Sequence, residues 1–191
     1  MSGLTRSPRG RRFAAAALTA LALSSSIQAA AGEAGSSRYS SLIEKDCTAA
    51  PVPKDEEGQG GSSVCPGVDG YRLQVLDGDA RMSIDVVTPA GKILPLEFWS
   101  TVGSGFSSLG NSAEWRYPAS GGRVPKALIV RLNISENPER SELTTSYLVV
   151  SKLGADSACV TAKVAPGKGQ NEAARKAADI APAAPCLRSK D

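Results

Sequence analysis

Residues Cys65–Val87 read CPGVDGYRLQVLDGDARMSIDVV, and this run decides the fold class. Pro66-Gly67 and Asp69-Gly70 are turn dipeptides. After them Tyr71, Leu73 and Val75 alternate with Arg72 and Gln74. That period of two is strand, because successive side chains on a strand leave by opposite faces. Asp77-Gly78, with Asp79 close behind, is a hairpin turn dipeptide. Met82, Ile84 and Val86 then alternate with Arg81, Ser83 and Asp85. The run predicts an antiparallel pair, Gly70–Leu76 with Ala80–Val87, that buries one face.

The segments on either side extend the pattern. Tyr39–Ile43 reads as a short strand or a turn of helix. Thr48–Ser63 is rich in Pro, Gly, Ser and acid and is expected to be an exposed loop. Ile93–Trp99 is apolar but holds Pro95, so it is an edge strand or irregular. Ser100–Ser112 (STVGSGFSSLGNS) reads as a Ser/Gly loop. Ala113–Tyr117, Lys126–Asn133, Leu143–Leu153 and Ala158–Val164 read as further strands, with Trp115 an anchor and Glu136-Asn137-Pro138 a breaker. The period then changes. Asn171–Ile180 holds four alanines in ten residues and predicts a helix with Asn171 as N-cap. Ala174, Ala177, Ala178 and Ile180 would form its buried side, and Pro182 and Pro185 end it. The expected fold class is α+β, a mostly antiparallel sheet of about six to eight strands with one C-terminal helix packed on it.

The chain's first 31 residues read differently. Arg6, Arg9, Arg11 and Arg12 precede an apolar run of 11 residues, Phe13–Leu23, and Ala29-Ala30-Ala31 fits the A-x-A cleavage rule. The run is too short to span a bilayer. Residues 1–31 are therefore expected to be a signal peptide, 32–38 a flexible N-terminus and 39–191 one β-rich domain. Arg11-Arg12 lacks the rest of a twin-arginine motif, so ordinary secretion is the reading. Of the 22 Lys and Arg, four lie before Ala31, whereas all 19 Asp and Glu follow it. The remainder carries 18 cations against 19 acids, a net charge of −1. Phosphate neutralisation has no basis there, so no nucleic-acid partner is expected. No later run is long enough for a membrane helix.

All four cysteines follow residue 31, and an even number in an exported chain reads as a disulfide framework. Three connectivities are open. Cys47–Cys65 and Cys159–Cys186 are favoured, because each closes a local loop. The second would tie the tail to the last strand. No spacing is C-x-x-C and the chain has no histidine, so no metal site is expected.

The absence of histidine also removes the commonest general base and every Ser-His-Asp triad. Carboxylates remain at Asp69, Asp77, Asp79, Asp85, Glu97 and Glu114; a pair such as Glu97 and Glu114 is what a glycan hydrolase would need. Turn chemistry accounts for most of them. Asp77-Gly78-Asp79 lacks the twelve-residue calcium loop. Gly103 and Gly105 match only part of a dinucleotide fingerprint and no helix is expected to follow, so no cofactor is expected. Arg72, Arg81, Arg116 and Arg131 read as a solvated strand face or an anion-binding one. Asn133-Ile134-Ser135 matches the glycosylation sequon, idle in a bacterial chain.

The remaining candidate surface is Val102–Gly110. Bare Ser and Gly backbone admits a partner closely, and Phe106 and Leu109 offer apolar tips. With only 5% aromatic residues, Trp and Tyr are needed in the core first. Trp99, Trp115 and Tyr117 nevertheless flank the loop and could stack on a sugar or peptide, so the ligand-binding expectation is Trp99, Ser104, Gly105, Phe106, Ser107, Trp115 and Tyr117. The function expected is a non-catalytic periplasmic or secreted binding module for an envelope protein or glycan. The alternatives are an inhibitor of a cell-wall hydrolase such as lysozyme, plugging its cleft with a protruding Val102–Gly110 loop, and the carboxylate-dependent glycan hydrolase.

The motifs CPGVDGYRLQVLDGDARMSI, AEWRY, ALIVRL, SYLVVSKLG, ACVTAKV and NEAARKAADIA, with the closing Cys186, resemble a family of small exported proteobacterial proteins of unknown function. The resemblance spans Tyr39–Cys186. It implies the domain boundaries and a periplasmic address, and it carries no activity.

Overall fold

A computed structural model describes residues 35–50 and 60–189, besides Met1 and Gly3. Those two apart, the expected signal peptide lies outside the described residues, as do 32–34 and the middle of the 48–63 loop, 51–59. The chain divides into two units, Met1–Gly32 and Glu33–Asp191, and the second holds every element named below.

Among the described residues ten strands form two antiparallel sheets of five. They are β1 (Ser37–Ser41), β2 (Thr48–Ala49), β3 (Gly61–Pro66), β4 (Arg72–Asp77), β5 (Met82–Val87), β6 (Ile93–Pro95), β7 (Ser107–Arg116), β8 (Ala127–Ser135), β9 (Thr144–Leu153) and β10 (Ala158–Val164). One sheet runs β2-β3-β4-β5-β6 and the other β1-β7-β8-β9-β10. Two helices complete the fold, a single turn α1 (Phe98–Thr101) and the C-terminal α2 (Gln170–Ile180). The α+β expectation holds, with more strands than counted because β2 and the start of β3 fall in the Thr48–Ser63 stretch expected to be an exposed loop. The segment expected to be a frayed N-terminus already joins a sheet at Ser37, opposite Arg116.

The two sheets share one core. Leu73, Val75, Ile84 and Val86 come from one sheet; Trp115, Leu128, Val130, Leu132 and Val149 come from the other. Alternation on β8 and β9 sends the intervening side chains to the opposite side. There Ala127, Ile129, Leu148 and Val150 meet Ala174, Ala178 and Ala181 of the C-terminal helical segment. The helix thus covers the outer face of one sheet. Ile180, expected on that buried side, is 67% exposed. At 100° per residue the buried line runs through positions 174, 178 and 181, and residue 180 leaves by another side. The helix begins one residue before Asn171. Gly169, at φ 80°, caps it, and no side chain caps its first turn. Gln170 instead donates from Nε2 to the carbonyls of Ser146 (2.8 Å) and Val164 (3.1 Å).

Both expected disulfides are closed, Cys47–Cys65 and Cys159–Cys186, and no cysteine is free. In the chain-entropy model loops of 18 and 27 residues are worth on the order of 3 kcal/mol each. Two disulfides fit a chain that folds outside the reducing cytosol. Among the described residues no helix is long and apolar enough to cross a membrane.

The β4–β5 hairpin forms as expected, but its turn lies two residues further on. Gly78 and Arg81 exchange backbone hydrogen bonds (3.0 and 3.1 Å), and the left-handed pair is Asp79 (φ 54°) and Ala80 (φ 56°). That is the geometry of a type I′ turn, which suits the twist of a hairpin. A displacement of two retains the parity of the strands, so the same side chains reach the core. Alanine pays for its Cβ in the left-handed region by about 1–2 kcal/mol, more than glycine loses in backbone freedom. Ala80→Gly is therefore expected to stabilise the fold by about 1 kcal/mol, read as a higher urea midpoint at unchanged slope; an equal or lower midpoint contradicts the turn assignment.

Candidate functional site

The Ser/Gly stretch is not a free loop. It begins with α1, which Ser83 fastens to β5 by accepting a hydrogen bond from Phe98 N at 2.9 Å. Val102 is fully buried. Residues 103–106 then lie against the end of β8. Ser135 N donates to Phe106 O (2.8 Å), and a Cβ on Gly105 would overlap the Ser135 carbonyl oxygen. A Cβ on Gly103 would sit 3.2 Å from Ile134 Cδ1. Glycine is required here for close backbone approach, not for a left-handed φ. Ser107 is already strand β7, so the protruding loop that a cleft-plugging inhibitor requires is absent at this place.

Between this segment, the β5 hairpin and the ends of β8 and β10 lies a groove of about 470 Å³. Val102 and Ile134 lie beneath it with almost no exposed surface (0% and 1%), and Phe106 (47% exposed) and Pro138 are among its lining residues. Two cations and a carboxylate complete the lining: Arg81, Lys163 and Glu136. The Arg81 guanidinium lies 5.0 Å from the Phe106 ring centroid. Its Nε donates to Ser104 O (2.9 Å) and its Nη1 to Asp79 Oδ2 (2.8 Å). Lys163 Nζ sits 3.8 Å from the Tyr147 ring centroid and donates to Glu136 Oε1 (3.1 Å) and Val102 O (3.2 Å). Tyr147 O–H bonds the same carboxylate, 2.8 and 2.9 Å from its two oxygens.

These contacts fix the protonation states. The Tyr147 hydroxyl foremost, with Lys163 behind it, holds the Glu136 carboxyl below its ordinary value. Burial and the Glu136 bond push the Tyr147 phenol up. Near neutral pH one is ionised and the other protonated, and neither stands in the range where a general acid or base exchanges protons readily. Ser135 Oγ donates to Asn137 O at 3.4 Å, and Ser107 Oγ accepts from Met82 N at 2.9 Å, so both hydroxyls have structural partners.

The seven residues expected to bind ligand part company. Ser104, Gly105 and Phe106 line the groove. Ser107 fastens β7 to the β5 hairpin, its N donating to Ala80 O. Trp115 has no exposed surface: it lies in the shared core, its Nε1 donating to Ser40 Oγ (2.9 Å) and its ring 5.8 Å from that of Tyr71. Tyr117, 5% exposed, donates its hydroxyl to Asp69. Burial and that bond push its pKa to about 12. Both are corrected to core residues, because alternation on β7 points them inward. Trp99 is half-buried on α1 and does not line the groove. Arg81, Glu136 and Lys163 were not expected there. Arg81 had been singled out only as a strand cation, and Glu136 only as part of a breaker.

The acids taken as a possible catalytic pair have other neighbours. Glu114 is bonded by Ser37 and Arg175. Burial pushes it up, but those bonds outweigh burial and hold it low. Glu97 enters α1 at φ 47°, and its carboxylate neighbour is Asp85. Burial pushes the Asp85 carboxyl up, against the bond it accepts from Leu96 N, and Glu97 adds to the rise. Arg116 is buried and pairs with Asp179. Arg131 donates to Ser146 and to Gln170 of α2 and so shares the helix-covered face with Arg116, whereas Arg72 lies in the other sheet and Arg81 at its hairpin turn. Asn133 is held in β8 between buried neighbours. Among the described residues no group of three metal-ligating side chains occurs.

No family model, no curated protein and no solved structure matches the chain.

Two outcomes test this geometry. Gly105→Ala forces the 103–106 segment off β8 and is expected to cost about 1–3 kcal/mol, as overpacking does; thermal unfolding reads it, and an unchanged midpoint contradicts the close approach. Glu136 has a folded pKa below its unfolded value, so its stabilisation is complete above 4.5 and is lost as pH falls through the lower, folded value. Urea midpoints of Glu136→Gln, followed down through that range, are expected to fall less steeply than those of the parent. Parallel curves would show the Tyr147 and Lys163 bonds to be without effect on ionisation.

Proposed function

We propose that the chain is a non-catalytic binding module of the periplasm or cell envelope, and that its ligand surface is the groove lined by Ser104, Gly105, Phe106, Arg81, Glu136 and Lys163. One observation carries the reading. The groove collects a half-exposed aromatic ring and oriented polar groups, whereas its titratable groups are locked in pairs. Pockets that bind small molecules combine these same ingredients. Catalysis by general acid and base would need a group free to give or take a proton near neutral pH. The two disulfides support the compartment, and so do the signal-like first 31 residues and the resemblance to exported proteins.

The test is capture from envelope extract by the immobilised protein, with identification of what is eluted. A defined molecule is expected, retained by the parent and lost with Phe106→Ala, which removes a half-exposed ring at little cost to the core. Equal retention by the variant removes the groove from the reading. Turnover of an envelope polymer by the purified protein removes the non-catalytic part of it.

A further inference from the structure

Which ligand class the groove suits follows from how its charges are spent, and the inference rests on the binding reading above. Lys163 gives its ammonium to Glu136, to the Val102 carbonyl and to the Tyr147 ring. Arg81 gives Nη1 to Asp79 and Nε to the Ser104 carbonyl. A phosphate or carboxylate ligand would find both cations already paired, Lys163 with Glu136 and Arg81 with Asp79, and a cationic ligand would find Glu136 already paired with Lys163. Neither gains the attraction of an unpaired charge. An extended peptide added as a strand finds no open backbone at this place. Ser135 N and Phe106 O bond each other, and Val102 O is taken by Lys163.

What remains unspent is polar but not net charged. The Glu136 carboxylate has about four acceptor positions, and Tyr147 and Lys163 do not fill them. Arg81 Nη2 makes no bond among the described residues. The groove therefore offers a planar acceptor and a planar donor. Phe106, with one face under the guanidinium, is 47% exposed. A ring with hydroxyls at its rim and C–H groups on its face matches this set. The hydroxyls donate to Glu136 and accept from Arg81, and the C–H face lies on Phe106. The cavity, about 470 Å³, exceeds what a single pyranose ring fills.

We infer that the groove binds a neutral glycan, one or two pyranose rings deep, with Phe106 as the stacking platform and Glu136 and Arg81 as the hydroxyl partners.

The experiment applies the purified full-length mature protein to an array of neutral oligosaccharides (gluco-, manno-, galacto- and N-acetylglucosamine series) beside anionic ones (polygalacturonate and a sulfated glycan). Retention on at least one neutral series is expected, nearly unchanged by raising the salt, because no net charge is neutralised. Phe106→Ala and Glu136→Gln are each expected to weaken it by roughly tenfold or more, a loss of about 1.4 kcal/mol. Lys92→Ala, a remote exposed cation paired with Asp156, is expected to leave it unchanged. Thermal midpoints of the variants close to the parent's separate lost contact from lost fold. Binding confined to the anionic series and abolished by salt overturns the inference. So does an empty array beside Phe106-dependent capture of a non-glycan molecule, in which case the binding reading stands. An empty array with no Phe106-dependent capture overturns both.

Discussion

The structure depends on strand β7 sending neighbouring residues to opposite sides. Ala113 and Trp115 enter the core between the sheets, and Glu114 and Arg116 turn toward helix α2. Trp115 is the largest side chain with no exposed surface, and removing such a residue typically costs about 3–5 kcal/mol. Its indole N–H is satisfied by Ser40 on β1. The same residue that fills the core therefore also holds the edge strand, whose pairing runs from Ser37–Arg116 to Ser41–Ser112.

On the other side of β7 the problem is different. The helix presents little more than alanine to the sheet: Ala174 and Ala178 are its buried residues, with Ala177 beside them and Ala181 just past its end. Such a face packs closely but specifies position weakly, since one alanine resembles the next along the axis. The ion pairs supply the missing register. Arg175 donates to Glu114, and Asp179, one turn on, takes Arg116. Both partners on β7 are buried, with 12% and 5% of their side chains exposed, so desolvation offsets much of the attraction. Their contribution is better placed in fixing where the helix lies than in net stability. The Cys159–Cys186 bridge and Leu187 N, which donates to Val160 O at 2.7 Å, then bind the tail to β10 beyond the helix.

How far the sequence disclosed this differs from element to element. β4 and β5 were legible because one face of each is apolar at a period of two, and β10 because its ends are marked by turns. The first half of β7 was not. Ser107, Ser108, Gly110, Asn111 and Ser112 have no apolar alternation, and a register shift falls between Leu109 and Ala113. What makes that stretch a strand is pairing with β8 at Ser107–Leu109 and with β1 at Ser112, a tertiary fact that local composition does not carry. The short helix α1 was hidden likewise, since Phe98 and Trp99 read as strand residues. In the groove, Ser104, Gly105 and Phe106 were legible as bare backbone with an apolar tip. Arg81, Glu136 and Lys163 come from three separate places in the chain, and only the sandwich brings them together.

The close approach at Gly105 explains why a groove exists at this end at all. With backbone against backbone, Gly103 and Gly105 bring no side chain to the space over Ile134 and Ser135, and the groove is left beside them. The two walls then carry charges that cancel within the groove rather than across it. Such a site has little long-range field to draw a ligand in and depends on contact: a ring surface, a fixed carboxylate and a fixed guanidinium. Tyr147 is the hinge of this arrangement. Its ring supports Lys163 and its hydroxyl grips Glu136, so a single side chain orients both members of the pair. Orientation prepared in advance lowers the entropy a ligand must lose on binding, which is where a shallow, partly open groove gains most.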